Sequence, residues 1–141
     1  MYTVTVSGCF EADHSLRMTD GRPEPVHRHT WRVRAAFAGE HLDAAGILVD
    51  FTVVRTRIER ITCGLNGTFL NDWAALGGRS PSAEHVAETL FHQLSTVPEL
   101  ATTLRAVSVA EAPGCEAAYL GKDLPFELWW TPAIDDKAIV E

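Results

Sequence analysis

Two histidines, His27 and His29, stand two residues apart in a run whose side chains alternate in polarity. The odd positions from 27 to 37 are His, His, Trp, Val, Ala and Phe, whereas the even positions from 28 to 34 are three arginines and a threonine. This pattern predicts a β-strand from His27 to about Phe37 with one apolar face. Residues i and i+2 of a strand point to the same side, so both imidazoles can bind one metal ion. A third ligand has to come from elsewhere.

A second alternating stretch ends in another histidine. The residues from Tyr2 to about Asp13 predict a first strand, with a possible bend at Gly8, and their even positions are mostly apolar. His14 continues that apolar side. The loop that follows, residues 18 to 25, is rich in glycine and proline.

The composition bounds the kind of protein. The chain has 141 residues, of which 46% are hydrophobic, and its formal net charge is −7. This indicates one globular domain, residues 1–141, and argues against nucleic acid as the main partner. The three cysteines, Cys9, Cys63 and Cys115, follow no disulfide pattern, and no signal peptide or membrane-spanning run is seen. We therefore expect a cytoplasmic protein with no membrane or nucleic-acid partner.

The periodicity changes to that of a helix after residue 50. Asp50 is the predicted N-cap of a first helix that ends at Gly64 or Gly67. Ser80 and Pro81 are predicted as N-cap and first residue of a second helix. The apolar positions of the two helices recur every three or four residues: Phe51, Val54, Ile58, Ile61 and Leu65, then Val86, Leu90 and Leu94.

Two further strands are predicted, Leu104 to Glu111 and Glu116 to Leu120, and Trp129-Trp130 are predicted to belong to a further extended piece. The tail from about residue 131 is predicted to be loose. The order ββααββ predicts an α+β fold in which an antiparallel four-stranded sheet carries two helices on one face. The open edges of such a sheet favour formation of an oligomer.

The ordered set of motifs resembles the 6-pyruvoyltetrahydropterin synthase and 6-carboxytetrahydropterin synthase family. The resemblance covers about Tyr2 to Leu120 and implies the tunnelling fold, in which trimers close a barrel and often stack into hexamers. The motifs that carry it are Phe10-x-Ala12-x-His14-x-Leu16, His27-x-His29, Gly46-x-x-x-Asp50-Phe51, Leu70-Asn71, Ser80-Pro81-Ser82-x-Glu84, Glu111 and Tyr119.

The resemblance implies a zinc site made of His14, His27 and His29. Three neutral imidazoles leave a fourth zinc position open, as in catalytic sites. Each histidine alone would be better explained as an ordinary core or surface residue. The resemblance also implies that Glu111 anchors a pterin ring, although a strand-end glutamate can simply reach water. Trp31 shares the histidine face, so it either forms a wall of the substrate pocket or packs in the core.

The usual acid–base residues of that family are not found at their matching positions. The loop from Arg17 to Val26 contains no cysteine, and Asn66-Gly67 stand where the family has an Asp-His pair. Cys115 and His85 are the remaining candidates for the catalytic acid–base role. This departure predicts altered chemistry, with negligible conversion of dihydroneopterin triphosphate.

Two classes of function follow. The first is a zinc-dependent lyase, cyclase or isomerase that acts on a small carbonyl-bearing or heterocyclic substrate in a specialised biosynthetic pathway. The alternatives are a non-catalytic pterin- or purine-binding protein, or an ordinary synthase of the family whose acid–base residues have moved.

Overall fold

The computed structural model describes residues 1–121. The predicted loose tail and the extended piece at Trp129-Trp130 lie outside these residues. None of the helices among them is long and apolar enough to cross a membrane. The elements are, in chain order, β1 (Tyr2–His14), β2 (His27–Gly39), α1 (Phe51–Leu65), β3 (Thr68–Phe69), α2 (Ala83–Ser95), α3 (Pro98–Ala101), β4 (Leu104–Ala112) and β5 (Cys115–Leu120).

The sheet is built around a long antiparallel hairpin of β1 and β2. These strands pair along their whole length, from Tyr2 opposite Gly39 to His14 opposite His27. β4 and β5 continue the sheet in antiparallel order, and the two-residue strand β3 adds to the other side, parallel to β1. The predicted α+β class and the four antiparallel strands are confirmed, and β3 makes the complete sheet mixed. Both β3 and α3 are too short to give a periodic signal in the sequence.

Helices α1 and α2 share one hydrophobic core with a single face of the sheet. Phe10, Trp31 and Val107 contribute from the strands, and Ile58 and Leu90 contribute from the helices. The odd positions of β2 and the even positions of β1 face this core, as the alternation predicts. The core therefore lies on the same face of the sheet as the histidines at the end of the hairpin.

Gly8 allows α1 to lie close to β1. A Cβ atom at this position would stand 2.5 Å from Cγ2 of Ile58, which is closer than carbon atoms approach one another. The glycine foreseen as a possible bend thus lies within a continuous strand at a close helix–strand contact.

The helix starts differ in how well the sequence predicted them. The carboxylate of Asp50 accepts a hydrogen bond from the Thr52 amide, which confirms Asp50 as the N-cap of α1. For α2 the prediction was wrong, because Ser82 is the N-cap and its hydroxyl accepts from the His85 amide. Pro81 lies outside the helix, where its carbonyl oxygen binds a histidine of the candidate site.

Candidate metal centre

Three histidines meet at the end of the β1–β2 hairpin that lies next to its connecting loop. His14 ends β1 opposite His27, and His29 lies opposite Ala12. All three side chains therefore point to the core face of the sheet. One ring nitrogen from each lies within 4.8 Å of the others, and His14 is buried while His27 and His29 are partly buried. The structure thus brings together the three residues that the sequence analysis selected.

The outer hydrogen bonds of two rings fix which nitrogen carries the proton. Nδ1 of His14 lies 2.9 Å from the carbonyl oxygen of Pro81, and Nδ1 of His27 lies 2.8 Å from that of Pro25. A carbonyl oxygen only accepts, so Nδ1 is the protonated nitrogen in both rings. Each neutral ring then presents an unprotonated Nε2 to the space between the histidines.

The distance between these two nitrogens fits a bound cation. Nε2 of His14 and Nε2 of His27 are 3.0 Å apart. Two nitrogen lone pairs at that distance repel each other unless a proton or a metal ion lies between them. Two ligands of a tetrahedral zinc ion are separated by roughly 3.3 Å, given zinc–nitrogen bonds of about 2.0 Å. The donor set and its spacing therefore fit zinc.

His29 is favoured in the neutral form that metal binding requires. Burial lowers its pKa below the ordinary imidazole value, and any positive charge on His14 or His27 would lower the pKa further. The negative charges of Glu111 and Glu24 work in the opposite direction. Since burial is the largest of these causes, His29 keeps an available lone pair at a lower pH than an exposed histidine would.

Trp31 lies beneath the histidines and is completely buried. Its indole N–H donates to the carbonyl oxygen of Ala12 at 3.2 Å, and its ring meets the His14 ring edge-on with centroids 4.8 Å apart. Phe10 stacks against it on the other side. With no surface exposed, Trp31 packs in the core and supports the histidine rings from there.

Glu111 reaches the site from β4. Its Oε2 atom is 3.8 Å from Nε2 of His14, and it is buried without a hydrogen-bond partner within the described part of the chain. A buried carboxylate oxygen that lacks a donor is costly, so this atom is suited to a cation or to the N–H groups of a ligand.

Glu24 brings a second carboxylate to the triad, beside His27, and the sequence analysis missed it. Its Oε1 atom lies 3.3 Å from Nε2 of His27, and its side chain is 23% exposed. Glu24 stands three residues before His27, in the loop where the sequence analysis noted only that the cysteine is missing. A search of that loop for any titratable side chain would have found it. With two carboxylates beside three neutral imidazoles, the site attracts cations.

Among the described residues, the other sequence candidates are not members of the histidine group. Cys115 is exposed at the start of β5. His85 is on α2, where its Nδ1 donates to the carbonyl oxygen of Ser80 at 2.7 Å. Asn66 and Gly67 both bind the backbone of Glu11 on β1, through the Asn66 side-chain oxygen and the Gly67 amide. These two positions therefore stabilise the connection between α1 and the sheet.

Comparisons with known proteins agree on one family. The sequence profile described as "6-pyruvoyl tetrahydropterin synthase" matches residues 3–122. A 6-carboxy-5,6,7,8-tetrahydropterin synthase of Synechocystis sp. is 29% identical over 99 residues, which are 67% of this chain and 75% of that protein.

Solved structures show the same fold. The 6-pyruvoyl tetrahydropterin synthase of Caenorhabditis elegans superimposes with a TM-score of 0.74 at 18% identity, covering 85% of this chain and 95% of the other. That of Plasmodium vivax gives a TM-score of 0.66 at 16% identity, covering 84% and 96%. The latter is a variant in which a glutamate described as a catalytic residue is replaced by alanine.

Proposed function

Because the chain belongs to the 6-pyruvoyl tetrahydropterin synthase family, we propose that it is a zinc-dependent lyase that acts on a small heterocycle of the reduced-pterin type. The observation that carries this proposal is the group of three histidines flanked by two carboxylates. The ring nitrogens that face one another are unprotonated and 3.0 Å apart, which favours a cation between them. Two of the similar proteins are named as synthases, which supports an enzymatic role.

In this proposal His14, His27 and His29 hold the zinc ion, and Pro81 and Pro25 fix two of the rings through their carbonyl oxygens. When bound, zinc acts as a Lewis acid that makes protons next to a coordinated oxygen of the substrate easier to remove. The protein has to supply the group that takes such a proton and returns it elsewhere.

Glu24 is that group in our proposal. Its carboxylate is close to the triad, with Oε1 3.3 Å from Nε2 of His27, and the side chain still has some access to solvent. A carboxylate at this distance can receive a proton from a substrate carbon beside the metal and later release it. The catalytic glutamate named for the Plasmodium vivax protein supports the idea that a carboxylate can act in this fold. Glu24 thus answers one of the two grounds on which altered chemistry with negligible turnover was predicted, the missing cysteine, whereas Asn66-Gly67 still replace the Asp-His pair.

Glu111 is the proposed anchor of the substrate ring. Its unpartnered oxygen can accept N–H bonds from an amino-heterocycle, which would offset the cost of its burial.

We further propose a single domain that assembles as a homotrimer or homohexamer, because the sheet of one chain ends at β3 and β5 without closing. A cytoplasmic location remains a prediction.

The test is the Glu24→Gln variant, assayed with zinc-loaded protein and dihydroneopterin triphosphate, with products separated by chromatography. The amide keeps the size of the side chain but cannot carry the proton, so we expect kcat to fall roughly 10²–10⁴-fold. Zinc content should stay unchanged. Glu59→Gln, on the exposed side of α1, is the matched control and should keep the activity of the parent.

Two outcomes would contradict the proposal. Equal turnover by Glu24→Gln and the parent would exclude Glu24 as the proton carrier. Tight binding of the pterin without any turnover by the parent would instead identify the protein as a non-catalytic pterin-binding protein.

A further inference from the structure

The loop that carries Glu24 is attached to the end of β1 by two hydrogen bonds, both at Glu24 itself. The Glu24 amide donates to the carbonyl oxygen of Leu16 at 2.9 Å. The Ser15 hydroxyl donates to the carbonyl oxygen of Glu24 at 2.6 Å. The peptide groups on both sides of the Glu24 Cα are thereby held against the two residues that follow His14.

Two further bonds hold the ends of this loop, since the Arg17 amide donates to the Ser80 hydroxyl at 3.4 Å and Nδ1 of His27 donates to the Pro25 carbonyl oxygen at 2.8 Å. Residues 17–23 are all exposed, and the turn within them is closed by its own bonds between Met18, Gly21 and Arg22. Those bonds shape the turn without attaching it to the core. The Ser15 hydroxyl is therefore the side-chain donor that holds the Glu24 backbone beside the triad.

Ser15 is itself well fixed. It is 8% exposed, and it follows His14 directly in the chain. The Asn71 side chain binds both polar groups of the Ser15 backbone, since its Oδ1 accepts from the Ser15 amide at 3.0 Å and its Nδ2 donates to the Ser15 carbonyl oxygen at 2.8 Å. A residue held in this way can serve as a rigid support for the loop.

We propose that Ser15 is a positioning residue that holds the Glu24 carboxylate at the histidine triad. This inference rests on the proposed function, because it takes Glu24 to be the proton carrier. The Ser15 hydroxyl binds the backbone of Glu24. Ser15 therefore acts through Glu24 and not on the histidine nitrogens. Proton transfer depends steeply on geometry, and a shift of about 1 Å can cost roughly 100-fold in rate.

The decisive variant is Ser15→Ala, which removes the hydroxyl donor and little else. We expect kcat to fall about 10- to 100-fold, with KM and zinc content nearly unchanged, because the metal ligands and the substrate anchor are not altered. Deuterium exchange in a peptide covering residues 16–26 should become faster, since the Glu24 amide is held less firmly. Ser15→Thr keeps the hydroxyl and should restore most of both properties.

Ser95→Ala is the matched control. Its hydroxyl also donates to a backbone carbonyl oxygen, that of Phe91 at 2.7 Å, but it does so at the end of α2. This variant should leave kcat and the exchange of residues 16–26 as in the parent. If Ser15→Ala fails to fold by circular dichroism, Ser15→Cys offers a side chain of similar size with a weaker donor for the same comparison.

The outcomes separate this inference from the proposed function. If Glu24→Gln abolishes turnover while Ser15→Ala keeps the kcat of the parent, Ser15 does not position Glu24 and the function stands. A faster exchange with unchanged kcat would overturn the inference in the same way. If Glu24→Gln keeps full activity, the assignment of Glu24 fails and the role of Ser15 fails with it. Loss of kcat in Ser15→Ala, with recovery in Ser15→Thr, would establish the role.

Discussion

Replacing Trp31 by phenylalanine tests how the core supports the histidines. The indole is fully buried, and its N–H donates to the Ala12 carbonyl oxygen. The smaller ring leaves a gap of roughly 40 Å³, which at about 24 cal/mol per Å³ costs about 1 kcal/mol. Loss of the hydrogen bond costs a further ~1 to 1.5 kcal/mol. We therefore expect Trp31→Phe to lower the free energy of unfolding by about 2 to 2.5 kcal/mol.

Urea unfolding, followed by circular dichroism at one fixed protein concentration with a chelator present, measures this loss without a contribution from metal and with the contribution from assembly held constant. With a slope of about 2 kcal/mol per molar urea, the midpoint should fall by about 1 M. Trp73→Phe is the control, because Trp73 is only partly buried at the edge of the core. A loss below about 0.5 kcal/mol for Trp31→Phe, or one no larger than that of the control, would refute the reasoning.

Two further predictions concern the site directly. His27→Ala should lose most of the zinc that the parent carries, at about one ion per chain, whereas His92→Ala should keep it; equal metal content in both variants by elemental analysis would exclude the triad as the metal site. Glu111→Gln should bind an amino-pterin far more weakly in calorimetry, because its amide places a donor against the donors of the ring, whereas Glu59→Gln should bind like the parent. Equal affinity of Glu111→Gln and the parent would show that Glu111 is not the anchor.

The hairpin and its histidine face could be predicted because local side-chain alternation determines them. Once β1 and β2 pair in antiparallel order, the positions of His14, His27 and His29 follow from the two-residue period of a strand. The N-cap at Asp50 was equally local, since a short carboxylate before an apolar periodic run satisfies a free backbone amide.

The features that were missed lie in loops, where the sequence shows no periodicity. The proline after Ser80 made Ser80 the predicted cap of α2, whereas the actual cap is Ser82. The structure selects Ser82 because the carbonyl oxygens of residues 80 and 81 bind His85 and His14. Glu24 was overlooked for another reason, because only a cysteine thiol was expected in its loop, although a carboxylate three residues before His27 was visible in the sequence.

The main-chain oxygens that orient His14 and His27 have a consequence for protein engineering. Every amino acid has a carbonyl oxygen, so substitutions at positions 81 and 25 leave the acceptor in place. Insertions and deletions differ, because they move the oxygen away from the ring. A mutant library intended to change substrate preference can therefore vary the side chains at positions 81 and 25, provided that the number of residues in each loop is kept.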